Sequence, residues 1–275
     1  QFLYFIGGCE TDSIDATHGH PSRWGMKKAG TSTTTKPAGN TTTAKKDAAP
    51  AGGGAGAGGP VAGGTGGGKR SQMEQEFDRL KALDRLDDGV DAVGPRGLAQ
   101  LCTEMNIKEG ESDMLVMAWK LGATQSMCVT KNEWVYACYM YKLENLGQLR
   151  NIIPKWRELC KEDDSAFAEM YWHAYDFIRA DDEKLLPLEK AVKAWTSLLP
   201  ESKFPFLSQW AQWLTLEYKR PISRDVWRQL LEFSRKVTDP AQYDPNDKWP
   251  TALDDFVEWL QEKNKAAAKP QPGAK

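Results

Sequence analysis

A lone imidazole and a few thiols are the first groups in this chain with the means to do chemistry. His173 is the only histidine beyond residue 72, and Tyr171, Trp172 and Tyr175 surround it, a setting for a packed or surface histidine rather than a general base. Of the five cysteines, Cys102, Cys128, Cys138 and Cys160 follow residue 72 and Cys9 precedes it. Cys138 and Cys160 fall on apolar helical stripes, where thiols are usually inert. An odd cysteine count without Cys/His metal spacing describes the reduced core thiols of an intracellular protein, not a disulfide framework. A thiol enzyme would need a base beside one of these sulfurs, and none stands at readable spacing.

Two loops imitate ligand sites and fail on specific positions. Gly63-Gly-Thr-Gly-Gly-Gly-Lys69 has the glycine and lysine spacing of a phosphate loop. However, Arg70 stands where a magnesium-binding Ser/Thr belongs, and no apolar strand leads into it, so low complexity is the reading. Asp84 to Pro95 has the Asp and Gly content of a calcium loop between helices. With Asp84 at position 1, Leu86 occupies the third position and Pro95 the twelfth, which removes one ligand and the bidentate Glu. The expectation is a helix-loop-helix without its calcium; the acidic loop from Ala180 to Leu186 is equally doubtful as a metal site. No metal and no cofactor is expected.

The remaining chemistry is electrostatic. Between Asp239 and Glu262 stand seven acids (Asp239, Asp244, Asp247, Asp254, Asp255, Glu258, Glu262) against one base, Lys248. Pro250 closes the preceding loop, Thr251 and Asp254 have capping-box spacing, and Leu253, Phe256, Val257 and Leu260 form one apolar stripe. A carboxylate face of that density suits a basic protein partner and repels nucleic acid.

The elements that must carry these groups begin near residue 72. Residues 1–72 hold 17 of the 24 glycines and cannot bury enough apolar surface to offset their ordering entropy, so they are expected to be a disordered tail. They carry eight Lys/Arg and four Asp/Glu, net +4, leaving 28 against 34, net −6, for the rest. Beyond them the sets Leu98/Leu101/Cys102/Met105, Trp134/Ala137/Cys138/Tyr141, Leu149/Ile152/Ile153/Trp156 and Val226/Trp227/Leu230/Leu231 follow i, i+3, i+4, i+7 spacing. Ser71 with Glu74 and Thr130 with Glu133 read as capping boxes, and Pro187 and Pro221 as first-turn prolines. About ten short helices are expected over 73–263, with a disordered tail over 264–275. No apolar run is long enough to cross a membrane. Residues 1–6 are too short for a signal peptide; Gly7 with Thr11 would form a myristoylation signal only if translation began at residue 6, and a lipid anchor is otherwise not expected.

With these residues assembled, the body resembles the PONY domain of the defective-in-cullin-neddylation proteins. The resemblance lies in Ala118-Trp-Lys-Leu121, Thr130-Lys-Asn-Glu-Trp134, Ile153-Pro-Lys155, Lys203-Phe-Pro-Phe-Leu207, Lys219-Arg-Pro-Ile-Ser-Arg-Asp-Val-Trp227, Leu230-Leu-Glu-Phe-Ser234 and Leu253-Asp-Asp-Phe-Val-Glu258. It spans nearly all of 75–262, and residues 1–72 lie outside it. It implies an all-α, compact multi-helix fold with a degenerate EF-hand-like first lobe, and a non-catalytic adaptor of the cytoplasm and nucleus. Such proteins promote cullin neddylation within a cullin-RING ligase complex by holding the cullin and a charged conjugating enzyme together.

The resemblance also implies two sites. Glu232, Asp254, Asp255 and Glu258 would face the cullin winged-helix region, with Lys248 standing where the family usually has Ala. Leu98, Cys102, Met114, Leu115, Met117, Ala118, Leu121, Met127 and Phe177 would line a pocket for the N-acetylated N-terminus of a ubiquitin-like-modifier conjugating enzyme. Pro95 and Ser197 replace larger apolar residues near it. The competing reading from a different class is an EF-hand-type calcium sensor.

Overall fold

Two helix-loop-helix pairs, α1/α2 and α3/α4, open the body. The computed structural model describes residues 70–86, 89–108 and 110–267; the phosphate-loop look-alike, the myristoylation pattern and most of the N-terminal tail lie outside them. Helix α1 (Gln72–Lys81) starts at Ser71, whose hydroxyl accepts from the Glu74 amide while the Glu74 carboxylate accepts from the Ser71 amide. Helix α4 (Lys131–Tyr141) starts with the same reciprocal pair, Thr130 and Glu133. Both capping boxes stand as the sequence reading placed them. Between these helices lie β1 (Ala92–Val93), α2 (Pro95–Glu104), α3 (Asp113–Leu121) and β2 (Val129–Thr130). The two strands pair antiparallel, Ala92 with Thr130 and Val93 with Val129, and so join the two loops.

Asp84 is engaged by backbone amides. Its two carboxylate oxygens accept from the Arg96 amide at 3.0 Å and the Gly97 amide at 2.8 Å, so it caps the N-terminus of α2, where unpaired amides and the helix dipole favour an anion. Among the described residues no group of three or more His, Cys, Asp or Glu side chains is arranged to hold a metal ion. Gly97 is fixed by crowding: a Cβ there would lie 2.6 Å from both the Leu80 carbonyl oxygen and Val93 Cγ1. The indole of Trp134 donates to the Met73 carbonyl at 2.9 Å and thereby locks α4 onto the start of α1.

Long helices α5 (Leu146–Glu162) and α6 (Asp164–Ile178) pack on α3 and on each other. Helices α7 (Leu188–Leu198), α8 (Leu207–Trp213), a π-helical turn (Leu214–Tyr218), α9 (Arg224–Lys236), a 3₁₀ turn (Pro240–Gln242) and α10 (Thr251–Ala267) complete ten α-helices among the described residues. α10 therefore continues past residue 263, into the stretch expected to be tail. Pro187 precedes the first residue of α7, whereas Pro221 lies in a loop ahead of Ser223, the N-cap of α9.

Tyr171 is the joint between α6, α7 and α9. Its hydroxyl accepts from Trp195 Nε1 at 2.8 Å and donates to the Trp227 carbonyl at 2.8 Å, while Trp227 Nε1 donates to the Tyr171 carbonyl at 2.8 Å. The Tyr171, Trp195 and Trp227 side chains are fully buried, and the Trp227 ring stacks at 4.8 Å on Tyr171 and 5.0 Å on Trp195. Three buried polar groups are thus satisfied by one another inside an aromatic stack that fixes α9.

Candidate functional site

Glu232 reaches the surface because α9 turns its apolar stripe, Val226, Trp227, Leu230 and Phe233, inward. A half-buried Glu232 lines a recess of about 170 Å³ with Gln229, Lys236, Asp247, Lys248 and Trp249. It pairs with Arg235 at 3.3 Å, one helical turn on. Lys236 lies 5.3 Å from the Trp249 ring, and the Trp249 indole, packed edge-on against Phe233 at 5.5 Å, has a buried N–H without a partner. Lys248 therefore shares a recess with Glu232, where two acids, Glu232 and Asp247, meet two lysines, and Arg235 pairs with Glu232 beside it.

On α10, Leu253, Phe256, Val257 and Leu260 are buried, which leaves Asp254 half-buried and Asp255 and Glu258 exposed. The capping box expected at Thr251 and Asp254 does not form. Thr251 is already the first helical residue, which puts Asp254 four positions along instead of three, and the Asp254 carboxylate instead accepts from the Tyr243 hydroxyl. Burial first, then that bond and the nearby acids, hold the Tyr243 hydroxyl well above its usual range, so it remains a donor at neutral pH. Asp244 is turned toward the Asn246 amide and held below the usual carboxylate range by it. Asp255 and Glu258 have no ion-pair partner among the described residues. The four acids of the expected acidic array stand in different settings: Glu232 in a recess, Asp254 held by a tyrosine, and Asp255 and Glu258 as exposed carboxylates on α10. Tyr243 and Arg235 escaped the sequence reading, although the i, i+3 spacing of Glu232 and Arg235 was a usable signal.

The nine residues expected to line an apolar pocket are all buried members of the hydrophobic core. Leu98 and Cys102 lie on α2, Met114, Leu115, Met117, Ala118 and Leu121 on α3, Phe177 at the end of α6, and Met127 in the turn before β2. None is more than 7% exposed. Met127 holds a left-handed φ of 51°, and its amide donates to the Phe177 carbonyl at 2.9 Å. That backbone conformation strains a residue with a side chain. Admitting a ligand would require side chains to move.

His173 is packed rather than poised. Its Nε2 lies 2.6 Å from the Ala123 carbonyl, its ring stacks on Phe177 at 5.9 Å, and burial pushes its pKa below the ordinary value despite Asp176 and Glu133 nearby. The thiols are equally quiet: burial, with Asp113 nearby, pushes Cys102 up to about 12, and burial pushes Cys128 and Cys138 up to about 11. Thiols held there carry almost no thiolate at neutral pH. Among the described residues no helix is long and apolar enough to cross a membrane.

Comparison with known proteins picks out the same region. A family model described as cullin binding matches residues 148–259, which include all four acids of the array. The chain is 32% identical over 174 residues to DCN1-like protein 4 of Drosophila melanogaster, covering 63% of this chain and 69% of that protein. It is 34% identical over 170 residues to DCN1-like protein 5 of Homo sapiens, covering 62% and 71%, and 34% identical over 190 residues to that of Mus musculus, covering 68% and 79%.

Proposed function

From a chain that belongs to the DCN1-like family, we propose a non-catalytic scaffold for cullin neddylation, one that binds a cullin through its acidic array and a conjugating enzyme through its apolar pocket. The observation that carries the reading is that Glu232, Asp254, Asp255 and Glu258 all fall within the cullin-binding match and all reach the surface. A cullin winged-helix region with a basic face is the complementary partner. Binding both partners raises their effective concentration, and no side chain of the scaffold takes part in the transfer. The quiet thiols and the packed His173 fit that role.

The test is calorimetric titration of the full chain with the cullin winged-helix region. Glu232→Arg with Asp254→Arg replaces attraction by repulsion at two points, which should cost about 2–5 kcal/mol. Rising salt should weaken the wild-type complex. Unchanged affinity in the double variant with helical content intact would overturn the assignment.

The pocket half of the proposal has its own test. An apolar pocket must desolvate whatever enters it, and an unpaired ammonium costs several kcal/mol more than an acetyl cap. An acetylated conjugating-enzyme N-terminal peptide should bind where the free-amine peptide does not. Equal polarisation signals for the two peptides would place the site elsewhere.

A further inference from the structure

A second groove lies where residues 180–187 meet residues 219–223, and it includes none of the acids above. It has a volume of about 540 Å³, within the range on the order of 300–1,000 Å³ typical of ligand clefts. Leu185, Pro187, Leu188 and Pro221 supply its apolar surface, and Leu185 is 42% exposed. Lys184, Lys219 and Arg220 supply exposed positive charge, and among the described residues none of the three is paired with a carboxylate. The one acid present, Glu183, is already engaged by the Ala180 amide at 3.3 Å and by Lys190 at 3.9 Å. The lining thus sets three cations against one acid on a body that carries net −6, with Asp181 and Asp182 exposed in the same loop but outside the lining.

The groove is built on a rigid frame. Leu186 and Ile222, both fully buried, exchange backbone hydrogen bonds at 2.9 and 2.8 Å, and Tyr175 Oη donates to the Ile222 carbonyl at 3.0 Å. The Arg179 guanidinium donates to the carbonyls of Ala180 and Glu183. Arg224 grips Asp176 with both guanidinium nitrogens just beyond. Lys219 sits at φ 52°, a left-handed position closing the π-helical turn, which costs on the order of 1 kcal/mol for a residue with a Cβ. Two loops tied together this way present their cations without prior ordering.

We propose that this groove docks an extended acidic peptide of a partner protein. An apolar residue of that peptide would rest on Leu185, Leu188 and Pro221, and its carboxylates would meet Lys184, Lys219 and Arg220. Charge complementarity selects the acid, and the apolar surface selects a peptide over a polyphosphate chain, which has no aliphatic group to seat there. The net negative body also disfavours a long polyanion.

The probe is a short fluorescein-labelled peptide of alternating Asp-Glu and Leu, titrated with the full chain and followed by polarisation. Its controls are the Asn-Gln version, a version with Leu replaced by Ser, and a labelled single-stranded oligonucleotide. The acidic peptide should bind, weaken with salt, and lose at least about tenfold in affinity to the chain carrying Lys184→Glu with Arg220→Glu. Leu185→Asp should produce a comparable loss. All three positions are exposed, so circular dichroism and cullin affinity should stay at wild-type values. Equal binding of the Asn-Gln peptide, tighter binding of the oligonucleotide, absence of binding, or a loss under about twofold in both variants would each overturn the proposal.

Discussion

Replacing Tyr171 by Phe removes one oxygen from a buried aromatic stack, and the structure sets the size of the effect. The Trp195 indole N–H, fully buried, would lose its acceptor, which costs about 1–3 kcal/mol for an orphaned buried donor. The Trp227 carbonyl would lose a donor worth about 0.5–1.5 kcal/mol but keeps its place in the first turn of α9, so the smaller figure applies. Ring packing is unchanged, since Phe preserves the 4.8 Å stack on Trp227. The sum is about 1.5–3.5 kcal/mol, or a fall of about 3–14 °C in melting temperature for a body this size. Urea unfolding followed by tryptophan fluorescence measures it. The double variant with Trp195→Phe removes the orphaned donor as well, so the two changes should fall short of additivity by about 1–2 kcal/mol. A Tyr171→Phe cost below about 0.5 kcal/mol, or strict additivity with Trp195→Phe, would refute the claim that this hydroxyl is the joint holding α9.

Other substitutions probe the first lobe and the buried imidazole. Gly97→Ala should destabilise by about 1–3 kcal/mol, because its Cβ meets backbone at 2.6 Å; a urea midpoint within error of wild type would mean that α2 shifts freely. Asp84→Ala should lose the α2 cap, costing about 1–2 kcal/mol, and calorimetry should detect no calcium binding in wild type or variant; a micromolar calcium site in the wild type would revive the sensor reading. His173 has its folded-state pKa lowered by burial from an ordinary value near 6.5. Its neutral form is therefore favoured by folding, and the stability it contributes is present above about pH 6.5 and lost as pH falls through the folded value. His173→Phe should flatten that part of the stability profile between pH 7.5 and 5; parallel profiles for variant and wild type would exclude it.

What the sequence made legible was whatever is encoded within one or two helical turns. The apolar stripes fixed nearly every helix, and Ser71/Glu74 and Thr130/Glu133 announced their capping boxes, because cap and partner lie three residues apart. The same spacing misled at Thr251 and Asp254. There the helix begins one residue early, and a tyrosine 11 positions upstream competes for the carboxylate. Asp84 shows the same limit: it was read by its missing metal ligands, while its partners, the amides of Arg96 and Gly97, lie 12 and 13 residues away. The acidic array was visible as a run of charge, but its internal pairing was not. That Glu232 shares a recess with Lys248 depends on how α9 meets the loop before α10, whereas its pairing with Arg235 is an i, i+3 contact within α9. The pocket residues were readable as apolar faces, yet whether those faces stand open or packed is a property of the interhelix angles alone.

The Asp84 cap has a consequence for signalling. In a helix-loop-helix sensor the carboxylates stay uncommitted until an ion arrives, and that idleness is what makes the pair of helices responsive. Here the leading carboxylate is already engaged by two backbone amides of the neighbouring helix, so an arriving ion would have to compete with that cap. Separating the two helices of such a lobe would cost it its own cap, a resistance that an uncommitted loop lacks.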